Sequence, residues 1–142
     1  MKSTVFSAFL IFLICGLSTA QQPQRPAQGN QAPDILIPVG TKTSDLIFRV
    51  NGRDSRLYQA YFGSKLAETG SLNQMRDAGH LAYSTYGGGN LFEPAIRMTH
   101  NDGNPSLELK YESHNVEKSD ANVTLTKILL KDPVYPVEVT LF

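Results

Sequence analysis

Apolar and polar residues alternate with period two along most of the chain beyond Ile35. Leu46, Phe48 and Val50 alternate with Ile47 and Arg49, and Asn51-Gly52 follows at once. Such alternation marks a half-buried strand, and Asn-Gly tolerates the positive φ of a tight hairpin turn, so a second strand is expected to return. Arg56 to Phe62 supplies it, rich in aromatic residues and stopped by Gly63. Further on, Ile96 and Met98 alternate with Arg97 and Thr99, which predicts a strand over Ala95 to His100. Asn101-Asp102-Gly103-Asn104-Pro105 is a dense turn signal. Leu107, Leu109 and Tyr111 then alternate with Glu108, Lys110 and Glu112, the plainest half-buried strand in the chain. Val123 to Leu130 and Val137 to Phe142 complete the set.

Only Ser64 to Asp77 could hold a helix, and Gly70 interrupts it, so a loop with one helical turn is expected there. Short strands separated by turn signals point to an all-β, antiparallel sandwich rather than a parallel α/β fold. The last strand runs to Phe142 without a turn, cap or polar tail. The expectation is that the natural polypeptide continues and the sandwich is incomplete.

The beginning of the chain reads differently. Lys2 precedes an almost wholly apolar run, Val5 to Leu17, and Ser18-Thr19-Ala20 offers the small residues a signal peptidase accepts. The run is shorter than the roughly twenty residues a bilayer span needs. Residues 1–20 therefore read as a signal peptide cleaved after Ala20, and the protein as secreted or periplasmic. Cys15 lies inside this run behind Ile14, which does not suit lipidation. Residues 21–34 form a Gln/Pro-rich leader without apolar periodicity, expected to be disordered. The folded domain is then 35–142. It has no cysteine, hence no disulfide, thiolate ligand or Cys nucleophile.

Without Lys2 the chain keeps 12 basic against 13 acidic residues, with no basic cluster. Nucleic acid and membrane surfaces are not expected partners. His80, His100 and His114 lie 20 and 14 residues apart, without a spacing that places two on one face, so no metal site is expected. Glu108 and Glu112 share the polar side of a strand, while Asp45, Asp54, Asp102 and Asp132 sit at strand ends or turns, where Asp serves backbone hydrogen bonding. No Gly-x-Ser-x-Gly occurs. Gly87-Gly88-Gly89 lacks the following helix that a phosphate cradle requires and reads as a turn. Asn122-Val123-Thr124 is a sequon. Tyr58, Tyr61, Phe62, Tyr83, Tyr86 and Phe92 could stack on sugars, but the chain has no Trp, and core or interface is the expected role. No catalytic, cofactor-binding or metal-ligating residue is assigned.

The order of motifs carries a resemblance. Leu57 to Leu66, with Tyr61-Phe62-Gly63 inside it, is similar to a segment that opens the N-terminal domain of family 36 glycoside hydrolases, the α-galactosidases. Tyr83-Ser84-Thr85-Tyr86-Gly87 resembles that domain's Tyr-Pro-Ala-aromatic-Gly element, with Ser84-Thr85 in place of Pro-Ala. Glu93-Pro94-Ala95-Ile96-Arg97 through His100, Asp102 and Gly103 resembles its next strand and turn. Leu107, Leu109, Tyr111, Ser113 and His114, then Leu130 with Asp132, and Val137 with Val139, follow in the family's order.

The resemblance runs from Asp45 to Phe142. It implies a large N-terminal β-supersandwich joined, in the whole protein, to a catalytic (β/α)₈ barrel. That barrel removes terminal α-linked galactose from oligosaccharides by a retaining mechanism with two aspartates. Neither the barrel nor its Lys-Trp-Asp-type nucleophile segment is present in these residues, so the chain is expected to be inactive alone, to need no cofactor, and to contribute to homo-oligomer contacts. In some oligomeric relatives the loop corresponding to Leu66–His80 reaches a neighbouring active site; here it is shorter than in many members. The rival expectation is a free-standing exported carbohydrate-binding module.

Overall fold

The computed structural model describes residues 32–70, 72, 79–89 and 93–142. The expected signal segment 1–20 and leader residues 21–31 lie outside them. Among the described residues, seven strands run in the order β1 (Ile35–Gly40), β2 (Ser44–Val50), β3 (Leu57–Ser64), β4 (His80–Leu81), β5 (Lys110–Asp120), β6 (Val123–Lys131) and β7 (Glu138–Leu141). They form two sheets, β1-β2-β3-β4 and β5-β6-β7, with every neighbouring pair antiparallel. The fold is therefore all-β, as the alternating pattern predicts.

The two sheets share one core. Ile37, Val50 and Leu57 cluster with Leu107, Leu109, Ile128 and Leu130, and Phe48, Ile96, Met98, Val137, Val139 and Leu141 pack against this cluster. Burying each such aliphatic side chain is worth roughly 1.5–3 kcal/mol. Register explains the membership: Ile37 pairs with Phe48 and Val50 with Leu57, so these residues lie on one face of the sheet.

The opposite face of β2 is also buried, which the pattern does not announce. Asp45 and Arg49 are as enclosed as Ile47 between them. The segment after β3 closes over this face. Asp45 Oδ2 accepts the Leu66 N–H at 2.9 Å, and Asp45 Oδ1 accepts from Lys65 Nζ at 3.1 Å. Arg49 donates to the Leu72 carbonyl and lies 3.8 Å from the Asp34 carboxylate. These contacts give the two charged residues partners out of water, the condition for burying charge. Leu72 N–H also donates to Thr69 O, a single tight turn where the sequence predicts one helical turn.

Three further differences have local causes. The β2–β3 hairpin forms, but Asn51-Gly52 is not a two-residue turn, because Val50 pairs with Leu57 across a longer loop. The positive φ falls on Ser55, at 58°. Gly52 is needed for another reason: a Cβ there would stand 1.7 Å from the Ala32 carbonyl oxygen. Second, Ala95 to His100 is not a ladder strand; it makes one parallel bridge, Ile96 with Thr85. Ile96 and Met98 still turn inward while Arg97 and Thr99 stay exposed, so the alternation records burial without pairing. Third, β5 starts at Lys110 rather than Leu107 and runs on to Asp120. With β6 it forms a ribbon that extends beyond the core, and Glu112 to Thr124 are exposed throughout.

Candidate functional site

The polar residues of the motif-bearing segments converge around Arg56, just ahead of β3. Its guanidinium donates to Glu108 Oε1 at 2.8 Å and to the Gly88 carbonyl at 3.2 Å, so one side chain ties the loop before β3 to the glycine turn and the lead-in to β5. Glu108's carboxylate holds this guanidinium still more firmly protonated than usual. A cleft lies on each side. One, of about 230 Å³, is bounded by Arg56, Ser106, Glu108, Asp132 and Tyr135; the other, open and of about 510 Å³, by Arg56, Tyr58, His80, Ser84 and Glu93.

Asp132 anchors the first cleft. Its Oδ1 accepts the Val134 and Tyr135 N–H groups at 2.8 and 2.9 Å, and its Oδ2 accepts the Glu108 N–H at 2.8 Å. Partial burial pushes its pKa up, but the three N–H donors, from Tyr135, Glu108 and Val134, outweigh that and hold it below the usual carboxylate value. Asp102 accepts the Asn104 N–H and the Tyr135 hydroxyl, each of which lowers its pKa as well. His100 stacks on Tyr135 with ring centroids 3.4 Å apart, and its Nε2 lies 2.9 Å from the Ser106 carbonyl. In the second cleft, Tyr58 donates to Asp54 at 2.8 Å, and its hydroxyl pKa is raised by burial first and by that carboxylate next.

This arrangement braces the loops it belongs to. A glycosidic acid needs a raised pKa so that it still carries a proton to donate. Asp102 and Asp132 are shifted the other way, and Glu108 is engaged by Arg56. Gly87-Gly88-Gly89 serves packing too: Gly87 has φ 79°, and a Cβ on it would stand 2.7 Å from Ser106 Oγ. His100 lies within electrostatic reach of Asp102 and Asp132, and His80 shares the second cleft with Glu93, but no group of three His, Cys, Asp or Glu that could hold a metal ion converges among the described residues.

The aromatic residues are dispersed as well. Tyr83 packs on the core, Tyr86 lies under Arg97 at 4.7 Å, Tyr61 donates to its own strand end at Ser64, and Phe62 is exposed. Phe92 and most of the Leu66–His80 loop fall outside the described residues. Sequence reasoning placed Asp45 among the residues that serve backbone hydrogen bonding, which it does at Leu66 N–H, but missed its burial and missed Arg56 and Arg49 as organising residues. Their only signal was a charged residue inside or beside an apolar strand.

The described residues thus form a two-sheet β domain whose polar motif residues brace its own loops. The sequence matches the glycosyl hydrolase family 36 N-terminal domain over residues 55–142, and the chain belongs to that family. Comparison with curated protein sequences returns no match. Among solved structures, the fold is similar to a family 36 α-galactosidase from Geobacillus stearothermophilus in complex with raffinose, at 16% identity and a TM-score of 0.62. It is likewise similar to an α-galactosidase from Lactobacillus brevis, at 13% identity and a TM-score of 0.61. Each match covers 75% of this chain but 19% of the other, so these residues span about a fifth of those proteins.

Proposed function

We propose that this chain is the exported, non-catalytic N-terminal β-sandwich part of an α-galactosidase, supporting the catalytic barrel and contributing subunit contacts. On this reading the parent enzyme hydrolyses terminal α-linked galactose in oligosaccharides. The observation that carries it is the family match over 55–142, whose motif residues build the Arg56–Glu108 and Asp132 scaffold. The Geobacillus relative's complex with raffinose supports the substrate class.

Purified alone, the protein is expected to leave an aryl α-galactoside unhydrolysed above the blank. Turnover that survives removal of host enzymes would overturn the assignment. The gene downstream of the Phe142 codon is expected to encode a barrel with a Lys-Trp-Asp-type strand, whereas an immediate stop favours a stand-alone binding module. Export predicts a secreted product beginning at Gln21 by mass spectrometry; retention of residues 1–20 on that product refutes the cleavage.

A further inference from the structure

We propose that Arg49 couples the residues just ahead of β1 to the segment after β3. Displacing the first then loosens the second from the face of β2 that it covers. This conformational device is independent of the galactosidase reading.

Ala32 to Asp34 enter β1 beside the β2–β3 hairpin, and two features seat them there. Asp34 Oδ1 accepts the Gly52 N–H at 2.8 Å. Gly52 also lets the chain come close: a Cβ on it would stand 1.7 Å from the Ala32 carbonyl oxygen, a backbone atom that could not yield without moving the segment. The position of Asp34 is thus set by the hairpin.

From that seat the other carboxylate oxygen, Asp34 Oδ2, faces Arg49 Nε at 3.8 Å. The same guanidinium donates through Nη2 to the Leu72 carbonyl. The Arg49 side chain is 2% exposed and that of Asp34 35%, so the cation is the enclosed member of the pair. A guanidinium is a rigid plane with donors in fixed directions, so turning it toward one partner turns it away from the other. Keeping a buried cation enclosed after its carboxylate is lost is costly. Opening the Leu72 side readmits water to it. Losing the Asp34 contact therefore loosens Leu72, and by linkage loosening Leu72 weakens the seat of Asp34 by the same factor.

The segment after β3 has a second anchor that does not pass through Arg49. Leu66 N–H donates to Asp45 Oδ2 at 2.9 Å, and Lys65 N–H donates to the Thr43 carbonyl at 2.9 Å. Leu72 N–H donates to the Thr69 carbonyl at 3.1 Å. Asp45 holds the near end of the cover and Arg49 the far end, so only the Leu72 end answers to the chain ahead of β1. Anything that draws that chain off the hairpin is then felt at Leu72.

The test is amide hydrogen exchange, resolved residue by residue by nuclear magnetic resonance, on the 142-residue protein. Gly52→Ala pushes Ala32 outward and alters neither Arg49 nor Leu72. It should speed exchange of the Leu72 N–H by about 5–150-fold, the usual span of a coupling between two sites. The Leu66 N–H and the β6 amides should keep their rates. Asp34→Ala keeps the glycine and removes the carboxylate; it should act on Leu72 in the same way, and it carries the test if Gly52→Ala does not fold. From the other end, Leu72→Ala should speed the Gly52 N–H, which is bonded to Asp34, by a similar factor. In an Arg49→Lys protein the Leu72 amide should exchange fast from the start and no longer respond to Asp34→Ala, since an ammonium lacks the two fixed directions. An unchanged or slower Leu72 rate in Asp34→Ala, equal acceleration at Leu66 and Leu72, or an undiminished response in Arg49→Lys would overturn the proposal.

Discussion

The two sheets solve burial in opposite ways. β2 is covered on both faces, by the β5-β6-β7 sheet on the Phe48 and Val50 side and by the segment from Lys65 to Leu72 on the other. To be enclosed twice it holds two charged residues, each given partners. The β5–β6 ribbon is packed only at its base, where Ile128 and Leu130 reach the core, and from Glu112 to Thr124 it is wet on both faces. One strand pair thus passes from core to solvent within a few residues. Strand pairing persists where burial does not, because a hairpin ladder needs only its own backbone groups, while side-chain burial needs a facing layer.

The sharpest way to break this contrast is to cut a methyl-rich side chain at each end of the same strand pair. Ile128→Ala should cost about 2–5 kcal/mol by leaving a core cavity, whereas Val116→Ala should stay within about 0.5 kcal/mol. Equal effects in urea melts would show that the ribbon is packed in solution. A smaller loss is expected from Arg49→Ala, roughly 1.5–3 kcal/mol, since hydrogen bonds to a charged group are removed from an enclosed face. An unchanged melt would mean that the Lys65–Leu72 cover is dispensable.

Acid should sharpen the comparison further. Asp45 is held below the usual carboxylate value by the Leu66 N–H first and by Lys65 next, and Asp102 and Asp132 are lowered as described. A depressed folded pKa contributes stability that is complete above the unfolded value of about 4 and disappears as pH falls through the lower folded value. Melting temperature should therefore decline below about pH 4, and Asp132→Asn should flatten that decline while lowering stability at neutral pH. A decline of unchanged slope would remove Asp132 from the account. Least in size, a double-mutant cycle on Arg56 and Glu108 should give a coupling of roughly 0.2–1 kcal/mol, because both side chains remain partly solvated. Zero coupling would leave Arg56's contact with the Gly88 carbonyl as its structural role.

Period-two alternation was a sound guide wherever a strand has one wet and one dry face. Leu107, Leu109, Ile128, Leu130, Val137 and Val139 all pack as their pattern implies. It misled at Ala95 to His100, where inward and outward residues alternate along a segment that makes a single bridge. It was silent at Ser113 to Asp120, where both faces are polar although the strand continues. Asp45 read as a strand-end hydrogen-bond acceptor and Arg49 as an alternating polar position, but not as buried, because a lone sequence does not show which distant segment will lie over them. The candidate site was legible as an ordered set of motifs, but not as a network: Arg56 and Glu108 are 52 residues apart, and Tyr135 and Asp102 are 33 apart.

Composition and local pattern were thus sufficient for the all-β class, most strands, the core face of each and the family resemblance, since each depends on neighbours one to four residues away. The second cover over β2, the length of the β5–β6 ribbon and the clasp of Arg56 depend on residues brought together from far along the chain. Those features follow from how the two sheets stack and where one outruns the other, and no local preference encodes that.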